Sequence, residues 1–123
     1  EAHFRLSKNV TFNCSIAHRK YSTYGNSLIG TTHGDGAKQN DLGQLMSIEA
    51  KELWGASEYR YFYTHHVHHK SSKDLISCSI ETLRSPSPAD SWHATKGYKS
   101  MEAVEAFIHS KEHGQVARIT HLY

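Results

Sequence analysis

Long apolar runs are missing from this sequence. No stretch approaches the roughly 18 consecutive apolar residues of a membrane-spanning helix, so no membrane-embedded helix is expected. The opening EAHFRLSKNV has neither an apolar signal-peptide core nor a methionine. The expectation is a cytoplasmic chain that begins inside a longer protein. Cysteine is scarce: Cys14 and Cys78 form no C-x-x-C pair, which excludes a zinc ribbon or a thioredoxin-like motif. One disulfide between them stays open, and two isolated thiols suit a reducing compartment equally well. Charge of one sign is also lacking. Fourteen basic against twelve acidic residues leave a net charge of +2, no strong electrostatic footprint for nucleic acid or an anionic membrane. Hydrophobic residues make up 37% of the 123 positions, below the roughly 45–50% of globular domains. A missing partner surface accounts for so thin a core, and so does a small polar domain.

The length suits one domain. Residues 10–13, 19–24 and 27–32 read as short strands, the last two joined by a Gly25-Asn26 hairpin turn. Leu28 and Ile29 are adjacent and apolar, as in a strand covered on both faces. After a loop at His33-Gly34-Asp35-Gly36, the spacing of Leu42, Leu45, Met46, Ala50, Leu53 and Trp54 predicts a helix over about 41–54, closed by Gly55. Residues 59–64, aromatic and β-forming, predict a strand that runs into the histidines at 65–69. A loop is expected at 70–74, a strand at 75–83 and an irregular segment at Ser85-Pro86-Ser87-Pro88. A helical turn at 101–103 and a hairpin of 104–110 with 115–121 complete the pattern.

What the sequence has in excess is histidine, 11 in all. Thr64-His65-His66-Val67-His68-His69 is the sharpest cluster. On a strand, His66 and His68 point to one side, about 6.5 Å apart at Cα, and His65, Val67 and His69 point to the other. Two imidazoles so placed can approach a metal site from one edge. On a helix, His65 and His69 would share a face instead. The Tyr-Phe-Tyr run before them favours the strand. A chance surface cluster is the plain alternative. His33 stands where an apolar strand gives way to a glycine-rich loop, the usual place for a site residue in an α/β framework.

Taken in order, these segments resemble the end of the calcineurin-like metallophosphoesterase family, and most closely its DNA-repair-exonuclease-like members of the phage and prophage type. The likeness rests on Gly30-Thr31-Thr32-His33-Gly34-Asp35, on residues 49–55, on His66-Val67-His68, and on Asp90-Ser91-Trp92-His93 with Lys96-Gly97-Tyr98. It spans roughly residues 21 to 121. The resemblance implies an α/β fold, the C-terminal half of an αββα sandwich, with residues 1–123 as a single partial domain. It implies a centre of two divalent metal ions (Mn, Fe, Zn or Ni), with His33 and His66 on one metal, His68 on the other, and His93 near the substrate. Arg84 and Lys96 are candidate phosphate contacts. The implied activity is hydrolysis of phosphodiester or phosphomonoester bonds, DNA among the candidate substrates.

Two departures stand out. His65 replaces the family's glycine before the first strand histidine. The family's Asp-x-His, Gly-Asp-x-x-Asp and Gly-Asn-His-Asp/Glu segments are absent, and the only aspartates are Asp35, Asp41, Asp74 and Asp90. The missing N-terminal half of the same domain is therefore the expected partner, and the isolated chain is expected to be inactive. The alternative is a non-catalytic metal-binding or assembly module that keeps this half of the fold.

Overall fold

The computed structural model describes residues 2–66, 70–87 and 101–123. These form a mixed α/β structure with a five-stranded mixed sheet, two short helices and a separate β-hairpin. Strands β1 (Arg19–Tyr24) and β2 (Ser27–Thr32) pair antiparallel from Arg19↔Thr32 to Tyr24↔Ser27. Their tight turn needs Gly25, whose φ is 55°. A Cβ there would also strike the Lys111 backbone, and the Lys111 carbonyl accepts from Asn26 N–H at 2.8 Å. Helices α1 (Leu42–Glu49) and α2 (Lys51–Ala56) make the crossover to β3 (Tyr59–Thr64), which is parallel to β2. Strand β5 (Ser79–Thr82) is parallel to β3, and β4 (Ser71–Asp74) pairs antiparallel with β5 at the sheet edge. The order is β1-β2-β3-β5-β4.

Strand alternation splits the sheet residues between two layers. Leu28, Phe62 and Ile80 pack under Leu42, Met46 and Ala50 of the helical layer, with Tyr21, Leu45 and Trp54 at the margin. Each large apolar side chain buried here contributes about 1.5–3 kcal/mol. Gly30 leaves room for this packing, since a Cβ would come within 2.7 Å of Met46 and 2.9 Å of Phe62. On the opposite face, Tyr61 and Tyr63 receive the hairpin of β6 (Ala103–Ser110) and β7 (Gly114–Leu122). Tyr63 lies 4.6 Å from Phe107 and Tyr61 4.9 Å from His109, centroid to centroid. Arg118 of β7 forms an ion pair with Glu81 of β5. The outer face of the hairpin carries exposed Val104, Ile108 and Ile119, where some of the sequence's modest apolar content is spent without burial.

Several sequence expectations need correction. Residues 10–13 form no strand. The helix of 41–54 is interrupted at Ala50 (φ −119°, ψ 42°), next to Glu49, which Arg19 and Tyr21 of β1 hold by hydrogen bonds. The loop expected at 70–74 contains strand β4, whose polar SSKD sequence hides it from a hydrophobic-pattern reading, as edge strands do. The strand expected over 75–83 is only β5, because Leu75 N–H bonds to the Cys78 carbonyl at 3.0 Å and turns the chain. Ala103 opens β6 rather than a helical turn. Cys78 is a buried free thiol, pushed up to about 11 by burial, so no disulfide joins it to Cys14. Among the described residues no helix is long and apolar enough to cross a membrane.

Candidate metal centre at the carboxyl edge of the sheet

Strands β2, β3 and β5 are adjacent and parallel, so their carboxyl ends open on one edge. That edge is where open α/β sheets bind ligands. The chain leaves β2 at His33, β3 at His65 and His66, and β5 at Leu83 and Arg84. A threonine step anchors the edge: Thr64 Oγ1 is 3.1 Å from Thr82 Oγ1, which also accepts from Gln39 Nε2.

The expected continuation of β3 through the histidines does not occur; the strand ends at Thr64. The cause is a local competition for hydrogen bonds. The His33 carbonyl accepts from both His65 N–H (3.0 Å) and His66 N–H (2.9 Å), drawing the β3 backbone out of the sheet ladder and over the end of β2. Gly34 makes this crossing possible. Its φ is 109°, and a Cβ would press on Thr64 and His66 at 3.3 and 3.4 Å.

The result is a close imidazole pair. His66 Nδ1 lies 3.2 Å from His33 Nε2, with the rings edge to face and centroids 5.0 Å apart. One N–H shared between the two nitrogens makes this a hydrogen bond. The same spacing suits two ligands of one ion: zinc–nitrogen bonds of about 2.0–2.1 Å at tetrahedral angles put two nitrogens about 3.3 Å apart. The nitrogen–nitrogen spacing, taken alone, matches two positions of a tetrahedral zinc shell. A third donor is not in place, since no group of three or more His, Cys, Asp or Glu able to hold a metal ion occurs among the described residues. His68 and His93, with His69 and Lys96, lie outside the described residues.

No protein-family model, no curated protein and no solved structure gives a significant match to this chain. The site must therefore be judged on its own geometry.

Two clefts meet at His65. One, of about 260 Å³, is lined by His18, Lys20, Thr31, Thr32, His33 and His65. The other, of about 200 Å³, is lined by His65, Leu83, Arg84 and Pro86 from the sheet side and by the start of β6. His65 is a wall of both. Lys20 and His18 were not singled out from sequence as site residues. The hairpin register held the signal: counting back from the Gly25-Asn26 turn sets Lys20 opposite Thr31, one residue from the end of β2. Thr32 Oγ1 then donates to the His18 carbonyl at 3.0 Å and fixes that segment beside the edge.

Proposed function

We propose that this chain supplies the histidine ligands of a metal-dependent phosphoesterase centre and is the C-terminal half of a calcineurin-like metallophosphoesterase domain. The observation that carries this reading is the 3.2 Å approach of His66 Nδ1 to His33 Nε2 across the ends of two parallel strands. Helices on one sheet face and strands on the other are compatible with half of an αββα sandwich.

In this proposal His33 and His66 would hold one divalent ion (Mn, Fe, Zn or Ni) and His68 would ligate a second. Residue type does not choose among these metals, because imidazole suits them all. Bound metals would supply positive charge for the phosphate oxygens and an activated water. The chain's own part is placement. The His33 carbonyl fixes the backbone of His65 and His66, and Gly34 lets the two loops meet. Carboxylates that balance the charge come from the missing N-terminal half, and His93 contacts a phosphodiester or phosphomonoester substrate, DNA among them. The protein acts in the cytoplasm.

A non-catalytic metal-binding or assembly module is the second reading. It is favoured by the lack of a three-donor group among the described residues and by the absent aspartate motifs. The deciding experiment is hydrolysis of bis-p-nitrophenyl phosphate with manganese by a longer chain that includes upstream Asp-x-His and Gly-Asn-His segments. Turnover abolished by His66→Ala supports the phosphoesterase; inactivity of every such chain on every phosphoester tried supports the module.

A further inference from the structure

We propose that Gln39 is a positioning residue for the His33–His66 pair, acting through Thr82 on Thr64, the residue from which the His65-His66 segment departs. That the pair serves a metal centre rests on the phosphoesterase reading; that Gln39 sets its geometry does not.

The contacts run across three strand ends. Residues 33–38 leave β2 and reach the short helical turn Gln39–Asp41, which leads into α1. Gln39 Nε2 donates to Thr82 Oγ1 at the end of β5, two strands away from β2 in the order β2-β3-β5. Thr82 Oγ1 lies 3.1 Å from Thr64 Oγ1 at the end of β3. The Thr64 carbonyl accepts from Leu83 N–H at 2.8 Å. The loop is thereby tied to the exit of β3 at both of its ends. At one end the His33 carbonyl holds the His65 and His66 amides; at the other Gln39 acts through Thr82. Between the two ties the loop passes close to β3, since a Cβ on Gly34 would meet Thr64 Cβ at 3.3 Å.

The hydroxyls make this more than packing. Thr64 and Thr82 are 2% and 1% exposed, and valine has nearly the same shape without a polar group to desolvate. Burying a hydroxyl is unfavourable unless it is hydrogen-bonded. A satisfied buried network, in turn, fixes one arrangement where apolar contact tolerates several. Here it fixes the backbone that leads into His65 and His66, because the carbonyl and the hydroxyl of Thr64 are both held from β5. His66 Nδ1 stands 3.2 Å from His33 Nε2, and a ligand pair has to be held to within about 0.5 Å to work. Gln39 is the member of the network that comes from the same loop as His33, so it couples the two histidines' backbones from the far side. A plain anchor of the sheet edge would use the same bonds, but losing them would then loosen the strands as a whole.

The test compares the full chain with Gln39→Met, Thr82→Val and Thr82→Ser, by amide hydrogen exchange without metal and by zinc titration. Gln39→Met and Thr82→Val keep the bulk and remove the donor or the hydroxyl. Each is expected to speed exchange at His65 and His66 roughly tenfold, with the interior amides of β2, β3 and β5 within about twofold of wild type. Each should also weaken zinc binding several-fold. Thr82→Ser keeps its hydroxyl and should keep both properties. Gln39 is half-buried in a turn, so Gln39→Met gives an answer even where Thr82→Val fails to fold. Unchanged exchange at His65 and His66 in Gln39→Met would overturn the proposal. So would protection lost evenly over all the strands, or a Thr82→Ser chain that behaves like Thr82→Val. The expected exchange pattern with no zinc bound by any of these chains would leave Gln39 in its role and sink the phosphoesterase reading alone.

Discussion

His33 and His66 are 33 positions apart in sequence, yet their ring nitrogens Nε2 and Nδ1 stand 3.2 Å from each other. The contact does not depend on the side chains alone. Both rings sit on backbone pinned by one acceptor, the His33 carbonyl. If the pair binds an ion, as proposed, this arrangement would lower the ordering cost of binding.

Gly34→Ala is predicted to damage the pair without touching either ring. Alanine at φ 109° is strained, and its Cβ meets Thr64 and His66. The loss should be about 1–3 kcal/mol of stability, with weaker metal binding alongside. Thermal melts and a zinc titration of the variant check it. A wild-type melting temperature with wild-type zinc affinity would show that the crossing does not need glycine.

Docking of the β6–β7 hairpin is predicted to weaken in mild acid. Tyr63 donates its hydroxyl hydrogen to Gln115 Oε1 at 2.8 Å, so its oxygen accepts from His109 Nε2–H at 3.0 Å. His109 Nδ1 is then a buried nitrogen with no hydrogen-bond partner. Protonating it would bury an N–H without an acceptor, and burial lowers the His109 pKa. The unfolded chain therefore takes up the proton first. Stability is complete above the ordinary histidine value of about 6.5 and falls as pH drops toward the depressed folded value, by up to about 1.4 kcal/mol per pH unit. In urea melts at several pH values, His109→Gln should remove that part of the slope. An unchanged slope would assign the acid sensitivity to other histidines.

Arg19 and Glu49 join β1 to the end of α1. Arg19 Nε lies 2.9 and 3.0 Å from the two carboxylate oxygens, and Tyr21 Oη donates to Glu49 Oε2 at 2.7 Å. The Arg19 hydrogen bonds hold the Glu49 carboxyl below its usual range, with Tyr21 adding to the effect. This contribution is present above the ordinary carboxylate pKa of about 4.3 and disappears as pH falls through the lower folded value. The pair is partly exposed, so Glu49→Gln should cost only about 1 kcal/mol at neutral pH. The gap between variant and wild type should close in acid. Chemical denaturation at neutral and acid pH measures both ends, and a gap that persists in acid would point to packing rather than charge.

Much of the fold was legible from local signals. Gly25-Asn26 announced β1 and β2 to the residue, and Tyr-Phe-Tyr announced β3. Strand β4 was not legible, because Ser71, Ser72, Lys73 and Asp74 at a sheet edge bury too little to leave a pattern. Nor was the end of β3. Where a strand stops depends on which acceptor its N–H groups find, and here that is the carbonyl of His33, distant in sequence. The site was legible in part. The meeting of His33 and His66 was anticipated from the ordered motifs. The approach of His18 and Lys20 was not, since it follows from pairing across the β1–β2 hairpin rather than from any motif.

The chain by itself is predicted to show little or no phosphodiesterase turnover. A two-metal mechanism needs ions held at fixed separation with anionic ligands for charge balance, and this sequence has no Asp-x-His, Gly-Asp-x-x-Asp or Gly-Asn-His segment to supply them. Assays on bis-p-nitrophenyl phosphate and on DNA with manganese test this. Robust metal-dependent turnover abolished by His66→Ala would show that the 123 residues suffice.

The most direct test of the central claim is a calorimetric zinc titration of this chain beside its His33→Ala and His66→Ala variants, near neutral pH and again about two units lower. Metal competes with protons for imidazole nitrogen. The account predicts one weak site that loses at least tenfold in affinity in each variant and weakens in acid. Zinc binding of unchanged affinity and stoichiometry in both variants would contradict it and move the metal, if there is one, away from this pair.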